Sequence, residues 1–325
     1  MERYQSKLVT IFGGGGFVGT QLVQELARRG HRIRVAVRRP NLAIHTRMFG
    51  SVGQIQPIQA NIRNAESVRH AVRGAHIVIN LVGVAADRGP QSFAAVHVEG
   101  AETVAREARA AGAASLVHMS ALGVDAAADV SRYARSKLDG EARVREAFPE
   151  AVIVRPSIIF GQDDGFFNMM AGFARILPMM PVIGPDTRFQ PVYVGDVAQA
   201  MALAAEGSVR SGRIYELGGP EVVSHRDLLA LILKESDRDR PLVGIPQGLA
   251  RLLSMVPGAP ITTDQVRLLH VDNVVSDAAI KDKRTLSGCG IPPVAMATIL
   301  PTYLWRFRPH GEFDRPSMDA ESVQP

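Results

Sequence analysis

The sequence of 325 residues contains a single cysteine, Cys289. One thiol excludes an intrachain disulfide and a cysteine-rich metal site, and it is typical of a protein from a reducing compartment. The nine histidines show no spacing that is typical of metal ligands, so the sequence predicts no metal site. The cytoplasm is therefore the expected compartment.

Long hydrophobic runs are also missing. The longest, at residues 77–86 and 176–183, fall well short of the ~20 apolar residues that a membrane-spanning helix needs. No basic and apolar signal segment is expected at the start, because residues 7–12 already have the pattern of a first strand. Any membrane contact is therefore expected to be peripheral.

Aromatic residues make up only 6% of the chain. The arginines are spread through many segments and do not alternate with aromatic residues, which argues against a nucleic-acid platform. The net charge of +5 favours anionic neighbours such as nucleotides, phospholipid surfaces or acidic proteins. With 46% hydrophobic residues, the chain can form one large domain or two closely packed ones.

Short β-rich runs alternate with amphipathic stretches through the first half of the chain. The predicted strands are residues 7–12, 32–37, 55–60, 76–81, 115–119 and 151–155. This alternation predicts an α/β fold of the Rossmann type, a doubly wound parallel sheet between layers of helices. After Arg155 the rhythm loosens, which indicates a smaller C-terminal α/β subdomain interwoven with the sheet. The predicted units are residues 1–155, 156–308 and a polar tail at 309–325.

The first motif with chemistry is a run of four glycines between the first strand and the first helix. Residues 11–19 read Ile-Phe-Gly-Gly-Gly-Gly-Phe-Val-Gly. A dinucleotide pyrophosphate needs backbone amides at such a turn, unobstructed by side chains. Two spacings fit this requirement. They are Gly14, Gly16, Gly19 as G-x-G-x-x-G, and Gly13, Gly16, Gly19 as the wider G-x-x-G-x-x-G.

The end of the second strand indicates which nucleotide is bound. NAD sites usually place a carboxylate there for the ribose 2′-hydroxyl, whereas NADP sites place an arginine near the 2′-phosphate. This chain has Arg38 and Arg39 there, with no carboxylate in the stretch. Guanidinium groups make charge-assisted, bidentate contacts to phosphate. We therefore expect an NADP(H)-binding domain that takes NADPH, with Arg38 as the first choice for the 2′-phosphate and Arg39 as the second.

Tyr133 and Lys137 form a Y-x-x-x-K pair that lies one helical turn apart. A lysine at this place can lower the pKa of the tyrosine, so that the phenol exchanges a proton with a carbonyl or an alcohol. Ser120, at the end of the fifth strand, supplies a further hydroxyl. These three residues are the predicted catalytic group.

Together these motifs resemble the extended or atypical short-chain dehydrogenase/reductases, the NAD-dependent epimerase/dehydratase-like proteins. The second half of the chain is more specific. Its motifs resemble the short-chain-reductase-like accessory subunit of respiratory complex I, NADH:ubiquinone oxidoreductase, in its bacterial, alphaproteobacterial form. They are found at residues 155–161, 166–168, 190–197, 263–266, 272–275 and 301–309.

The resemblance implies a bound NADPH with a structural role, near the membrane and the quinone site. It implies a peripheral subunit on the cytoplasmic side of the bacterial inner membrane. The implied partners are other subunits of the complex and phospholipid headgroups. Carried over by position, the implied cofactor-binding residues are Gly13, Gly14, Gly16, Phe17, Val18, Gly19, Arg38, Arg39, Asn61, Ile62, Leu81, Gly83, Tyr133, Lys137 and Pro156.

Three departures from active reductases bear on catalysis. Ala121 stands where a second hydroxyl is frequent, Asn61 where an aspartate is usual near adenine, and His97 where asparagine is common. A catalytically idle accessory subunit of complex I is the first hypothesis. The alternative is a free-standing NADPH-dependent reductase or epimerase that acts on a nucleotide sugar, an isoprenoid or a quinone. Both hypotheses share the fold and the cofactor.

Some residues of the second half allow two interpretations. Asp196 is expected to be a helix N-cap, or else a substrate contact. Trp305, the only tryptophan, either anchors an interface or a headgroup contact, or packs its helix on its own domain. A further group of apolar residues is expected to form either an adaptable part of the core or an apolar docking surface. It comprises Phe166, Phe167, Met169, Met170, Met179 and Met180.

Overall fold

The computed structural model describes residues 6–87, 89–254 and 261–309. Its strands are β1 (Leu8–Phe12), β2 (Arg32–Val37), β3 (Ile55–Gln59), β4 (Ile77–Asn80), β5 (Ser115–Met119), β6 (Val152–Pro156), β7 (Ile159–Phe160), β8 (Met180–Val182), β9 (Arg188–Phe189), β10 (Val192–Tyr193), β11 (Ile214–Leu217), β12 (Val223–Ser224) and β13 (Leu242–Gly244). The predicted tail lies outside the described residues apart from Pro309.

The α-helices are α1 (Phe17–Arg28), α2 (Ala65–Val72), α3 (Glu99–Ala110), α4 (Val124–Ala127), α5 (Arg132–Ala147), α6 (Phe166–Ile176), α7 (Val194–Glu206), α8 (His225–Glu235), α9 (Gln247–Leu253), α10 (Thr263–Leu268), α11 (Asp277–Lys281), α12 (Met296–Ile299) and α13 (Pro301–Leu304). Short 3-10 segments cover Pro40–Phe49, Ser287–Cys289 and Trp305–Phe307, and a π-helical turn covers Ala94–Val98. Within the described residues, no helix has both the length and the apolar character needed to cross a membrane.

Seven parallel strands form the central sheet, in the order β11-β6-β5-β4-β1-β2-β3. The predicted Rossmann α/β fold is confirmed, and each of the six predicted strands matches an observed one to within a residue at either end. The strand order reverses at β1 and β4, where Val9 pairs with Ile33 on one side and Ile77 on the other. In open α/β sheets, ligands bind outside the carboxyl ends of the strands at such a switch point.

Helices cover both faces of the sheet, which explains why the central strand β4 is buried along its whole length. On one face α1 and α7 pack on β1, with Leu22, Val23 and Leu26 on the buried stripe of α1 as the sequence predicts. On the other face α2, α3 and α5 bury Val68, Val104 and Val144. Because β11 and α7 follow residue 155, the second half of the chain completes the first core. The domain boundary at 155 stays a prediction.

A separate core lies between α6, α8 and the C-terminal helices. It contains Phe167, Met170 and Met180 together with Leu228 and Leu300. The core interpretation is therefore confirmed for these residues of the methionine-rich stretch. Met179 differs from them, because it is 47% exposed.

The prediction that Asp196 is a helix N-cap is wrong. Helix α7 begins at Val194, and Asp196 lies inside its first turn. Its buried carboxylate accepts a hydrogen bond from the Val294 backbone N–H over 2.8 Å. Asp196 therefore ties the C-terminal segment to helix α7, a contact that spans 98 residues and has no local sequence signal.

Candidate functional site

A cleft of about 710 Å³, here called the dinucleotide cleft, runs past the carboxyl ends of β1 to β4. Phe12, Val37 and Leu81 mark where three of these strands end in its wall. Eight of the residues expected to bind a cofactor line it, namely Gly13, Gly16, Arg38, Arg39, Asn61, Ile62, Leu81 and Gly83. The cleft therefore lies where the topology places a ligand.

The glycines of the loop serve two purposes. Gly13 has a φ of +81°, a left-handed conformation that side chains disfavour. A Cβ at Gly19 would collide with the Gly13 carbonyl oxygen and with Gly14, so Gly19 lets α1 pack closely on the loop. A Cβ at Gly16 would lie 3.4 Å from the Gly13 oxygen, an ordinary contact. The absence of a side chain at Gly16 therefore leaves space in the cleft, whereas its absence at Gly19 allows α1 to pack against the loop.

The structure places three other predicted residues of this loop away from the cleft wall. Gly14 and Val18 are buried behind it, in contact distance of the core. Phe17 is half-buried and packs against the same core. Gly15, which the sequence analysis does not single out, lines the cleft together with Gly13 and Gly16.

One end of the dinucleotide cleft is basic. Arg38 and Arg39 are exposed there, and Arg63 lines the same end. The described lining residues include no carboxylate. Arg63 donates to the Pro90 carbonyl over 2.7 Å, and its backbone N–H donates to the Asn61 side-chain oxygen over 3.2 Å. This end therefore presents positive charge to an anionic group.

A second cavity of about 420 Å³ continues from the cleft and shares Leu81, Gly83 and Val84 with it. We call it the catalytic chamber, because Ser120, Tyr133 and Lys137 all line it. A Cβ at Gly83 would lie 3.3 Å from the Lys137 Nζ, a tight contact that would require the lysine to shift by a few tenths of an ångström. The structure thus brings together the three residues that the sequence predicts to be catalytic.

The electrostatics of this group differ from the sequence expectation. Burial lowers the pKa of Lys137 to about 8, and the nearby Glu141 carboxylate opposes that shift. Burial also raises the pKa of Tyr133 to about 12, the direction opposite to the one expected beside an ammonium group. Lys137 Nζ donates to the Met119 carbonyl over 3.3 Å. At neutral pH the phenol therefore stays protonated.

Ser120 is 3% exposed, and its hydroxyl is the one buried side-chain oxygen without a hydrogen-bond partner in the described part of the chain. Buried polar groups in folded proteins are almost always hydrogen-bonded. An unpaired hydroxyl in a chamber wall therefore indicates that a polar ligand atom belongs beside it. This fits a nicotinamide or a carbonyl compound in the catalytic chamber.

His97 holds the wall of this chamber in place. Its Nε2 accepts from the Val84 backbone N–H over 3.0 Å, so Nδ1 carries the proton and donates to the Ser136 hydroxyl over 2.8 Å. Ser136 in turn donates to the Tyr133 carbonyl over 2.7 Å. Burial, with the charge of Lys137 as a smaller cause, lowers the pKa of His97 to about 3. The neutral ring lies edge-on to the Tyr133 ring, with centroids 5.4 Å apart.

The family model for the RmlD substrate binding domain matches residues 7–250. The chain belongs to this family. It is also homologous to the NADH dehydrogenase (ubiquinone) 1 alpha subcomplex subunit 9 of mitochondria. The Arabidopsis thaliana protein is 34% identical over 84% of this chain and 72% of its own length, and the Mus musculus protein is 31% identical over 89% and 77%. The ceramide reductase of Caulobacter vibrioides is 33% identical over 59% of this chain and 58% of its own length.

Solved structures with the same fold cover nearly all of this RmlD-type chain. The UDP-glucose 4-epimerase of Thermus thermophilus, solved with NAD, has a TM-score of 0.67 at 20% identity, over 92% of this chain and 98% of that one. The NADPH-dependent quinone oxidoreductase of Escherichia coli, solved with NADPH, has a TM-score of 0.71 at 17% identity, over 91% and 98%. These likenesses support the fold.

One residue that completes the site of this RmlD-type chain comes from far along the sequence. Asp264, on α10, accepts hydrogen bonds from the Ser131 hydroxyl at 2.7 Å, the Arg132 N–H at 2.9 Å and the Tyr133 N–H at 3.1 Å. Its carboxylate thus binds the N-terminus of α5, where negative charge is favourable. No local pattern links residue 131 to residue 264, and sequence reasoning missed this role.

Pro156, another predicted cofactor residue, lines neither the dinucleotide cleft nor the catalytic chamber but a third cavity. This cavity of about 280 Å³, here called the apolar chamber, lies between α4, α5, α6 and α10. Tyr133, Gln265 and Leu268 line both the apolar and the catalytic chamber, so the two adjoin. The site of this RmlD-type chain is therefore a row of three adjoining spaces.

Proposed function

We propose that the chain is an NADPH-binding accessory subunit of a bacterial, alphaproteobacterial respiratory complex I, and that its nucleotide has a structural role. The observation that carries the proposal is the similarity to the alpha subcomplex subunit 9 proteins, which extends over 84–89% of the chain. The second half of the chain is included in that similarity.

The shape and charge of the dinucleotide cleft support NADPH as the cofactor. The loop at Gly13 and Gly16 would hold the pyrophosphate, and Arg38 with Arg39 would hold the 2′-phosphate. The absence of a carboxylate among the described lining residues removes the usual partner of an NAD ribose. When bound, the nicotinamide would supply hydride-transfer chemistry to the catalytic chamber.

The catalytic chamber supports an idle rather than an active role. A tyrosine acts as a proton donor most effectively when its pKa lies near the working pH, and the pKa of Tyr133 is raised to about 12. Lys137 donates to a backbone carbonyl. Ala121 takes the place of a second hydroxyl beside Ser120.

Exposed apolar side chains in the C-terminal half support docking onto partners. Five of them, Ile176, Met179, Val243, Leu249 and Leu252, lie in residues 176–179 and 243–252, whereas Val222 and Ile280 lie elsewhere. Arg175 and Arg251 are exposed next to them in the sequence. We propose that these segments, with the 39% exposed Trp305, contact other subunits and phospholipid headgroups on the cytoplasmic side of the inner membrane.

Separation of mildly solubilised membranes on a native gel tests the proposal directly. The chain should migrate with NADH:quinone oxidoreductase activity, and acid extracts of the purified complex should contain NADPH. Tyr133→Phe should leave turnover and assembly nearly unchanged, because the lost phenol matters only where a proton moves. Gly16→Val should remove NADPH and lower the amount of intact complex, since a bound ligand stabilises the folded state.

The second candidate function is a free-standing NADPH-dependent reductase or epimerase. The unpaired Ser120 hydroxyl and the similarity to a ceramide reductase favour it. Migration as a free monomer or dimer, with Tyr133→Phe abolishing NADPH oxidation by a carbonyl substrate, would establish this alternative and contradict the first proposal.

A further inference from the structure

The apolar chamber is lined almost entirely by hydrocarbon. Its apolar lining residues include Leu122, Val124, Ile158, Phe166 and Met169. Phe166 and Met169 are only half-buried in the protein's own packing, whereas their helical neighbours Phe167 and Met170 belong to the core. Helix α6 therefore turns one face to the core and leaves part of the other to this chamber.

Most polar side-chain atoms in the chamber wall already have hydrogen-bond partners within the protein. Asn273 accepts from the Ser157 hydroxyl over 2.6 Å and donates to the Leu122 carbonyl over 2.7 Å. The Gln265 side-chain oxygen accepts from the Thr262 backbone N–H over 2.8 Å. Ser157 and Asn273 therefore have little left to offer a ligand, and breaking their bond would leave them unpaired at a cost. The Gln265 side-chain nitrogen makes no hydrogen bond to the described residues, and Gln265 lies where this chamber adjoins the catalytic chamber.

The chamber also lacks a cation for a phosphate. Within the described residues its only charged lining side chain is Asp272, a carboxylate that is paired with Arg188 over 2.7 Å. A nucleoside diphosphate carries negative charges that need guanidinium, ammonium or backbone N–H partners. With Asp272 paired to Arg188, the described lining residues offer no cation to such a ligand.

The unpaired polar groups lie at the end of the chamber that meets the catalytic chamber. Tyr133 lines both spaces, and its hydroxyl makes no hydrogen bond to the described residues. The unpaired Ser120 hydroxyl lines the catalytic chamber beside it. The connected space thus has an apolar body and one hydrogen-bonding end.

We propose that the two chambers together bind a neutral lipophilic ligand, a carbonyl compound or alcohol with a hydrocarbon chain. The chain would occupy the apolar chamber, and the oxygen would bond to Ser120 and Tyr133. Nucleotide sugars are disfavoured as ligands, because the described wall of the apolar chamber offers no cation for a diphosphate. This inference deepens the proposed function. It rests on that function only in placing a bound nucleotide beside the polar end of the ligand site. Nucleotide binding is therefore measured separately.

Calorimetric titration of the purified full-length chain with 2-pentanone, 2-heptanone, 2-nonanone and 2-undecanone tests the proposal, with and without NADPH. Affinity should rise about fourfold per methylene until the chamber is filled and then level off. UDP and UDP-glucose should not bind. Affinity that is flat along the ketone series, or UDP-glucose binding in the same range, would overturn the inference.

A methionine pair supplies the matched variants. Met169→Glu puts a carboxylate into the chamber and should weaken 2-nonanone at least tenfold, whereas Met179→Glu changes an exposed methionine outside it and should have no effect. Met169→Ala enlarges the chamber, so the plateau should move to a longer ketone. This second variant carries the test if the glutamate variant does not fold.

NADPH titration by fluorescence separates the two proposals. Normal ketone selectivity without NADPH binding would contradict the proposed cofactor and leave the ligand class standing. Normal NADPH binding with equal effects of Met169→Glu and Met179→Glu would contradict the ligand class alone.

Discussion

The dinucleotide cleft and the apolar chamber adjoin the same catalytic chamber, yet the polar groups in their walls differ in whether they are already paired. In the cleft, Arg38 and Arg39 project at one end, and glycines leave the loop surface bare. In the apolar chamber, Ser157 and Asn273 hydrogen-bond to each other, so these polar atoms are not available to a ligand. Both walls contain polar residues. The comparison teaches that the class of ligand depends on which polar groups remain unpaired, more than on how many line a cavity.

The largest expected effect distinguishes the structural role of Gly19 from the role of Gly16 in the cleft wall. Gly19→Ala should lower the free energy of unfolding by more than about 3 kcal/mol, because its Cβ would overlap the backbone of Gly13 and Gly14. Gly16→Ala is the control. Its Cβ meets only an ordinary contact, so stability should change by less than about 1 kcal/mol while dinucleotide binding weakens. Urea denaturation measures both, and equal stabilities would contradict this account of Gly19.

The basic end of the cleft gives the next effect. Arg38→Asp should weaken NADPH binding about 100-fold, since a charge-assisted bond of ~1.5–3 kcal/mol becomes a repulsion, and NADH binding should be unchanged or improved. Arg47→Asp makes the same charge change at an exposed position outside the cleft wall and serves as the control. Fluorescence titration with both nucleotides provides the measurement. Equal losses for NADPH and NADH would remove Arg38 from the 2′-phosphate site.

A smaller effect should distinguish ketone binding in the catalytic and apolar chambers from NADPH binding at the basic end of the cleft. Asp264→Ala removes three hydrogen bonds at the start of α5 and should cost about 1–2 kcal/mol of stability. Because Tyr133 lies in that first turn, ketone affinity should fall more than NADPH affinity. Thermal denaturation and the two titrations test this. An unchanged ketone affinity would show that Asp264 does not position Tyr133.

The last effect concerns pH. The folded pKa of His97, about 3, lies below its ordinary value of 6.5, so the folded state resists protonation. Stability should be full above pH 6.5 and should fall as the pH drops towards 3, by at most about 1.4 kcal/mol per pH unit from this residue. His97→Asn should flatten that slope between pH 6.5 and 4.5, where most carboxylates are still ionised. An identical slope in the variant would mean that other groups cause the loss.

The strands were predictable where the sequence signal is local. β1 and β4 are short apolar runs followed by glycine or by a turn, and all six predicted strands are present. β11 was not predicted, because Ile-Tyr-Glu-Leu contains a charge at Glu216. That carboxylate accepts from the Ser276 backbone N–H over 2.8 Å, which compensates its burial beside β6. The compensating residue lies 60 positions away.

The site follows the same rule. Motif spacing predicted the group of Ser120, Tyr133 and Lys137, because helix and strand periodicity determine their positions. Arg63 was missed although it follows the third strand, since a lone arginine in a basic chain carries little information. The pairing of Ser157 with Asn273, which makes the apolar chamber apolar, spans 116 residues and is invisible to any motif.

The bond between Asp264 and the start of α5 has a consequence for synthesis. Ser131 and its carboxylate partner are 133 residues apart, so the ribosome adds the partner on the order of ten seconds later, at roughly 5–20 residues per second. The nascent chain can pair the first six strands before that moment. The N-terminus of the helix that carries Tyr133 and Lys137, however, can form its three hydrogen bonds to Asp264 only after α10 has emerged. Sheet formation and completion of the site are therefore separate events during translation.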